Sequence, residues 1–151
     1  MRDWILFFHV LSVVVWLGGS IYVEALSAAA RRDGDQAFRV AVLRRIGATG
    51  RRLFNPAGIA TIVFGFWLVF ISPGWEFEMI WIVVGIVMAV LAVVIDLFFT
   101  TPRVDEIEAR ADDEGEDAQT RLATLLREVV LAGHIRVALL FIGFVFMVFK
   151  P

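Results

Sequence analysis

Four long apolar runs alternate with polar connections along this chain. They cover residues 4–26, 53–72, 78–99 and 128–149, and each is close to the roughly 20 residues with which an α-helix crosses about 30 Å of hydrocarbon. The connections are long, short and long, which predicts an all-α, up-down-up-down bundle of four transmembrane helices in one integral membrane domain over residues 1–151. The first run exceeds the apolar core of a signal peptide and no cleavage site follows it, so we predict a permanent span.

Both long connections are predicted to contain additional cytoplasmic helix. In the first, Asp35 can cap a basic amphipathic helix whose apolar residues recur at every fourth position, namely Phe38, Val42 and Ile46. In the third, Thr101 and Pro102 form a typical helix start. The acidic run at 112–117 then indicates a solvated turn before helical spacing resumes and continues into the fourth span.

Composition and charge support a membrane protein with a defined orientation. The chain is 60% hydrophobic and its mean hydropathy is +0.80, which excludes an ordinary soluble domain and indicates the lipid bilayer rather than nucleic acid as a partner. Arginines concentrate in the first connection, at positions 31, 32, 39, 44, 45, 51 and 52. Because Lys and Arg mark cytoplasmic loops, we expect both long connections in the cytoplasm of a bacterial inner membrane. Both termini and the 73–77 turn are expected outside.

One stripe of polar side chains runs down the first span. It consists of His9, Ser12, Trp16, Ser20 and Glu24, at steps of three, four, four and four. At 100° per residue these positions fall within about 120° of arc, so the stripe should face the bundle interior rather than lipid. Ser12, Trp16 and Ser20 can equally serve structure alone, the serines by bonding the backbone and the tryptophan by packing.

A buried polar cluster is expected in the cytoplasmic half of the bundle. Its members are Glu24, Asn55, Asp96, His134 and Arg136. Asp96 and Arg136 come within one helical turn of each other in depth, and pairing would relieve the cost of burying both charges. Such a pair is either structural or part of a proton path. His134 lies about 200° around the helix from Arg136, at 100° per residue, and therefore needs a different partner.

The two histidines lie at different depths. At 1.5 Å per residue, His9 is about 8 Å outward of its helix midpoint and His134 about 7 Å inward of its own. Two imidazoles on one iron lie within about 4 Å of each other, since metal–nitrogen bonds are near 2 Å. A haem held by both histidines is therefore excluded. The chain has no cysteine, which also excludes disulfides, thiolate metal sites and Cys-attached haem.

A copper site is a lesser alternative near the outer surface. Met79 and Met147 are expected within about 6 Å of the depth of His9, at 1.5 Å per residue. A His/Met set can hold soft Cu(I). Methionine is also ordinary filler at helix ends.

Several motifs resemble those of a known group. The run from His9 to Gly19, with Trp16 and Gly18 in it, is similar to the first-helix signature of the CopD/HemJ-like group of small bacterial membrane proteins, and the stretch from Pro56 to the Pro73-Gly74 turn is similar to their second helix. The resemblance implies the same four-span layout. It also implies copper uptake for a CopD-like chain, or haem b and protoporphyrinogen oxidation for a HemJ-like one, with His9 at the candidate haem-ligand position.

The residues after Gly19 fit a third, uncharacterised branch of that group best. The segment 20–26 replaces the Arg- and His-containing continuation of the HemJ branch, and the third span contains no lysine. Two functional classes follow. The first is an interaction or accessory subunit of a membrane complex, working with other membrane subunits or as a homo-oligomer. The alternative is a redox protein that binds haem b through His9, with Trp16 beside it. A hydrolase has no supporting motif in the sequence.

Overall fold

The structure is a computed structural model that describes residues 1–32, 36–110 and 115–150. Its helices are α1 (Arg2–Arg32), α2 (Gln36–Thr49), α3 (Asn55–Ile71), α4 (Ile80–Val94), α5 (Thr101–Arg110) and α6 (Glu116–Phe149). Two π-helical turns, Gly50–Phe54 and Ile95–Thr100, join α2 to α3 and α4 to α5. The all-α prediction is confirmed. Asp35 and residues 112–114, which the sequence assigns to a helix cap and a turn, lie outside the described residues.

Four helical stretches are long and apolar enough to cross a membrane, as predicted. They are Arg2–Ala29, Gly47–Ile71, Ile80–Arg110 and Glu116–Phe149. The first span packs against the second and the fourth, and the third packs against the same two. The spans therefore form a ring in which every pair of neighbours is antiparallel. Large apolar side chains remain exposed around this ring, as expected for surfaces that lipid covers.

A tight hairpin joins α3 to α4. Gly74 has a φ of 77°, a left-handed conformation that glycine adopts without a steric penalty. The Trp75 N–H donates to the Ser72 carbonyl at 3.2 Å and closes the turn. The start of α1 and the end of α6 also lie at this end of the bundle, which we call the hairpin end. The opposite end, which carries α2 and α5, is the α2/α5 end.

Each π-helical turn ends two residues before a proline. Pro56 follows Gly50–Phe54, and Pro102 follows Ile95–Thr100. Proline lacks an N–H, and its ring crowds the carbonyl four residues earlier, which breaks or kinks a regular α-helix. In a π turn the hydrogen bonds reach back to the fifth residue instead. The wider turn thus gives the chain room to remain helical as it reaches each proline.

Thr101 does not cap the start of α5, contrary to the sequence-based prediction, because α5 continues directly from the π turn Ile95–Thr100. The Thr101 N–H and hydroxyl both bond back to the Asp96 carbonyl, the hydroxyl at 2.8 Å. A helix-capping threonine would instead accept hydrogen bonds from the residues that follow it. The π turn before Pro102 is the physical reason for this difference, since it removes the need for a helix break.

Glycines allow large side chains to sink between the helices. Trp16 fits against Gly58, His9 against Gly65, Met147 against Gly85, and Glu24 against Gly133. In each case a Cβ atom on the glycine would crowd or collide with the side chain opposite. Small residues usually permit close helix contact in membranes. Here they accommodate bulky or polar side chains within the bundle.

Hydrophobic packing extends beyond the predicted spans at the α2/α5 end. Side chains of α5 and α6 form one buried cluster there: Val104, Ile107, Leu122, Leu125, Leu126 and Val129. The predicted spans end at residue 99 and resume at 128, so most of this cluster lies outside them. The additional helix is therefore packed against the bundle and not loosely attached to it.

Candidate functional site

An ion pair between Asp96 and Arg136 lies inside the bundle. The Arg136 Nη1 group donates to Asp96 Oδ1 at 2.5 Å, and both residues are buried. Trp16 donates its indole N–H to the other carboxylate oxygen, Oδ2, at 3.4 Å. The carboxylate thus joins α1, the π turn after α4, and α6. Each charge would be costly to bury without the other.

Glu24 and His134 form a second polar contact near this pair. The Glu24 carboxylate occupies the space in front of Gly133, and its Oε2 lies 3.5 Å from His134 Nδ1. The same nitrogen lies 2.7 Å from the Val130 carbonyl. The contact between Glu24 and His134 is an ion pair when the imidazole is protonated. His134 therefore has a partner other than Arg136, and its side chain is 57% exposed, whereas Arg136 faces inward.

A polar cavity of about 60 Å³ lies among these groups, and we call it the inner cavity. Glu24, Asn55, Asp96 and Arg136 line it, so four members of the cluster marked in the sequence meet in one place. His134 is not in its wall and reaches it through Glu24. Both π turns contribute wall residues, among them Gly50, Arg51, Phe54 and Thr100. In the sequence, Pro56 and Pro102 are the signals that mark these two turns.

A second, apolar cavity lies toward the hairpin end, and we call it the outer cavity. Its volume is about 290 Å³, and His9 lies in its wall. The His9 Nδ1 atom is 3.0 Å from the Thr61 carbonyl oxygen. A carbonyl can only accept a hydrogen bond, so Nδ1 carries the proton and Nε2 of the neutral ring is available to a ligand. A Cβ atom on Gly65 would lie 3.2 Å from the same ring.

Aromatic and cationic side chains surround the hairpin end of the outer cavity. Trp75 and Trp81 line it and pack edge to face, with ring centroids 5.0 Å apart. The Lys150 ammonium lies 5.0 Å from the Trp75 ring centroid and 5.1 Å from that of Trp81. Arg2 lies 5.6 Å from the Trp75 centroid. The sequence contained a signal for this arrangement, because the two tryptophans beside the hairpin, Arg2 and Lys150 are all expected at the same end of the bundle.

Trp16 separates the two cavities. Its ring lines the outer cavity, while its N–H bonds Asp96 in the wall of the inner one. The residue is only 1% exposed and lies against Gly58. The polar stripe of the first span therefore contributes to both cavities, with His9 in the outer one and Glu24 in the inner one.

A comparison with protein-family models identifies the family. The model described as "Predicted integral membrane protein (DUF2269)" matches residues 3–151, almost the whole chain. The chain belongs to this family. Searches of curated proteins and of solved structures gave no match. Membership in DUF2269 agrees with the four membrane-spanning helices.

Of the candidate copper ligands of this DUF2269 protein, His9 and Met147 line the outer cavity. Met79 is not in the cavity wall, but it packs with Met147 in the cluster of Val69 and Trp81 at the hairpin end. Among the described residues, no group of three or more His, Asp or Glu side chains is arranged to hold a metal ion. His9 lines the outer cavity, whereas His134 lines neither cavity and contacts the inner one only through Glu24. The arrangement can therefore supply one nitrogen ligand in an apolar space and, separately, a set of buried charges.

Proposed function

We propose that this DUF2269 protein binds haem b in the outer cavity, with His9 as its single axial ligand. The observation that carries the proposal is the contact between His9 Nδ1 and the Thr61 carbonyl oxygen at 3.0 Å. A backbone carbonyl is a usual companion of a metal-ligating histidine, because it fixes the ring and makes the other nitrogen more basic. The resemblance of residues 9–19 to the CopD/HemJ-like group supports the same residue.

The residues around the outer cavity suit such a group. The walls are mostly apolar, and Trp16 closes the cavity on the side of the inner charges. Lys150 lines the cavity and Arg2 lies near it, where cations would neutralise the two propionates of the haem. A volume of about 290 Å³ is near the lower end for small-molecule sites. A whole porphyrin therefore requires the flexible Met147 side chain to move.

Each residue then has a distinct task. His9 would hold the iron, Thr61 orients the imidazole, and Lys150 and Arg2 would bind the acidic edge of the haem. Haem b, when bound, supplies one-electron redox chemistry. Trp16 keeps the buried Asp96–Arg136 pair away from the apolar cavity.

An absorbance spectrum of the purified protein, before and after reduction, tests this proposal. The protein is expressed with added haem precursor, and His9→Ala is compared with His134→Ala, the other histidine, which lies outside the outer cavity. We expect a Soret band in the wild-type protein and in His134→Ala, and its loss in His9→Ala with thermal unfolding retained. A wild-type protein that stays colourless even after incubation with haemin would refute haem binding.

An accessory role in a larger membrane complex is the alternative that the sequence favours. Small residues on the spans could serve such a role by admitting a partner helix. In the structure, however, Gly65, Gly85 and Gly133 contact side chains of the same chain, which weakens this role. A colourless protein that co-purifies with another membrane protein at fixed stoichiometry would favour this role. Copper handling is the weaker choice, because Met79 does not line the cavity that holds His9.

We also place the α2/α5 end in the cytoplasm of a bacterial inner membrane. At this end the described residues include Arg51, Arg103, Arg110, Arg121 and Arg127, whereas the hairpin end carries Arg2 and Lys150. The excess of arginine supports this orientation by the positive-inside rule. The outer cavity then lies in the outer half of the membrane.

A further inference from the structure

Two buried polar atoms in the wall of the inner cavity lack a partner. Arg136 Nε and Thr100 Oγ1 have no hydrogen-bond partner among the described residues, although both atoms are inaccessible to solvent. Arg136 as a whole is only 9% exposed. Buried donors and hydroxyls in native proteins are nearly always bonded to protein or to ordered water. These two atoms therefore indicate something small and polar in the cavity.

The size and lining of the inner cavity fit water. A buried water needs about 10–15 Å³ of such space and two to four polar partners. The cavity provides about 60 Å³. It also offers polar side chains from three spans: Glu24 on the first, Asn55 on the second, and Asp96 and Thr100 on the third. Several waters can thus connect these groups.

The charges around the cavity argue against other small ligands. Arg51 and Arg136 line it and would repel a metal cation, while the carboxylates of Glu24 and Asp96 would repel an anion. No metal-binding group of acidic or histidine side chains occurs among the described residues. The mixed charges of the wall therefore favour water, and the protons that water carries, over other ions.

We propose that the inner cavity is a water-filled half-channel that brings cytoplasmic protons to the Glu24–His134 pair in the interior of the membrane. A hydronium ion transfers one proton to Glu24 or His134 and leaves as water, and the charge of the pair rises by one unit. The reverse step returns the proton to water. Chains of Glu, Asp and His side chains within membrane helices commonly carry protons in this way.

The other charged groups in the wall have fixed roles. Asp96 is held by Arg136 and by the Trp16 N–H, and its carboxylate balances the guanidinium. Arg51 lies at the end of the cavity where it also contacts Asp105 and Glu108 of α5. Trp16 closes the opposite side. The half-channel therefore ends at Trp16, and it does not depend on whether haem binds in the outer cavity.

Thiol labelling tests for water in the cavity. Because the chain has no native cysteine, only the introduced thiol can react. Asn55→Cys and Thr100→Cys place a thiol in the wall, whereas Phe98→Cys places one on the exposed face of the same π turn. The probe is 2-aminoethyl methanethiosulfonate, added to inside-out vesicles with free cysteine trapped on the other side. We expect both wall variants to react at least tenfold faster than Phe98→Cys. Equal rates, or faster reaction from the periplasmic side, would overturn the half-channel.

An infrared titration of the purified protein tests the proton site itself. Between pH 5 and 9 we expect a carboxyl C=O band that Glu24→Gln removes and that His134→Gln shifts in midpoint by at least one pH unit. The control is Glu76→Gln, which alters an exposed acid at the hairpin end and should leave the band unchanged. If the band persists in Glu24→Gln, or if His134→Gln does not shift it, the proton-exchange role is wrong even where the cavity is hydrated.

Discussion

The Trp16 indole of α1 occupies the gap left by Gly58 of α3. A Cβ atom on Gly58 would lie 2.9 Å from Trp16 Cε2, closer than side-chain atoms pack. The same indole donates its N–H to Asp96, so three spans meet at this one ring. Its position separates the polar and apolar cavities of the bundle.

Gly58→Ala should destabilise the protein. The added methyl group meets a buried, rigid ring, and overpacking of this kind costs about 1–3 kcal/mol. The matched control is Gly18→Ala, since nothing lies within 4 Å of a Cβ atom there, and alanine in a helix is favoured over glycine by about 0.5–1 kcal/mol. Thermal unfolding in detergent should rank Gly18→Ala at or above the wild type and Gly58→Ala below it. The reverse order would mean that the contact is absent.

Removing either Asp96 or Arg136 alone should destabilise the bundle more than removing both together. Each single change strands a buried charge, at about 3–5 kcal/mol, while Asp96→Asn with Arg136→Gln strands none. A double-mutant cycle read by thermal unfolding measures the coupling. The exposed Arg51–Asp105 pair, with N–O distance 2.8 Å, serves as a comparison and should couple by about 0.2–1 kcal/mol. Simple additivity at Asp96 and Arg136 would show that the two charges do not interact.

Gly133→Ala should destabilise the bundle through Glu24. A Cβ atom at residue 133 would collide with the Glu24 carboxylate, which is held between α1 and α6. Shortening the acid in Gly133→Ala/Glu24→Ala restores the space, so the double variant should unfold at a higher temperature than Gly133→Ala. If Glu24→Ala gives no such rescue, the acid does not occupy that position.

Cysteine labelling in intact cells should place the two ends of the bundle on opposite sides of the membrane. Glu76→Cys lies in the exposed hairpin turn, and Asp117→Cys lies in the first turn of α6 at the α2/α5 end. A membrane-impermeant maleimide should label Glu76→Cys in whole cells and Asp117→Cys only after lysis. The opposite pattern would invert the proposed orientation and place the outer cavity on the cytoplasmic side.

The number of spans and their up-down alternation could be predicted, because both depend on run lengths and loop lengths that can be read directly from the sequence. A hydrophobic run of about 20 residues predicts one membrane crossing, and a short loop predicts that the two spans it joins pack side by side. The common depth of Asp96 and Arg136 could be predicted for the same reason, since depth follows residue count at 1.5 Å per residue. The structure brings these two side chains into contact.

The contact between Glu24 and His134 could not be predicted in this way. It depends on how α1 and α6 are rotated about their axes, and packing against Gly133 determines that rotation. The contact of Lys150 with the two tryptophans at the hairpin end of the outer cavity was also not predicted. It forms because Lys150 adopts a left-handed φ of 47° at the end of α6 and lies over Trp75 and Trp81.

The π turns escaped prediction because a period of 3.6 residues was assumed throughout each helix. Pro56 and Pro102 were the available signals, since a proline within a continuous apolar or amphipathic helix requires some local change in winding. We interpreted Pro102 as a helix start and Pro56 as part of a family motif. Both prolines instead mark the wider turns whose residues line the inner cavity.

The two π turns have a consequence for the evolution of this family. A turn closed between residues i and i+5 holds one residue more than an α-helical turn, so each turn is equivalent in length to an α-helical turn with one residue inserted. Gly50–Phe54 and Ile95–Thr100 both contribute walls to the inner cavity, and deleting one residue from either would close that wall. Family members that are one residue shorter in both helices should therefore also have lost the acidic and guanidinium side chains that the cavity accommodates.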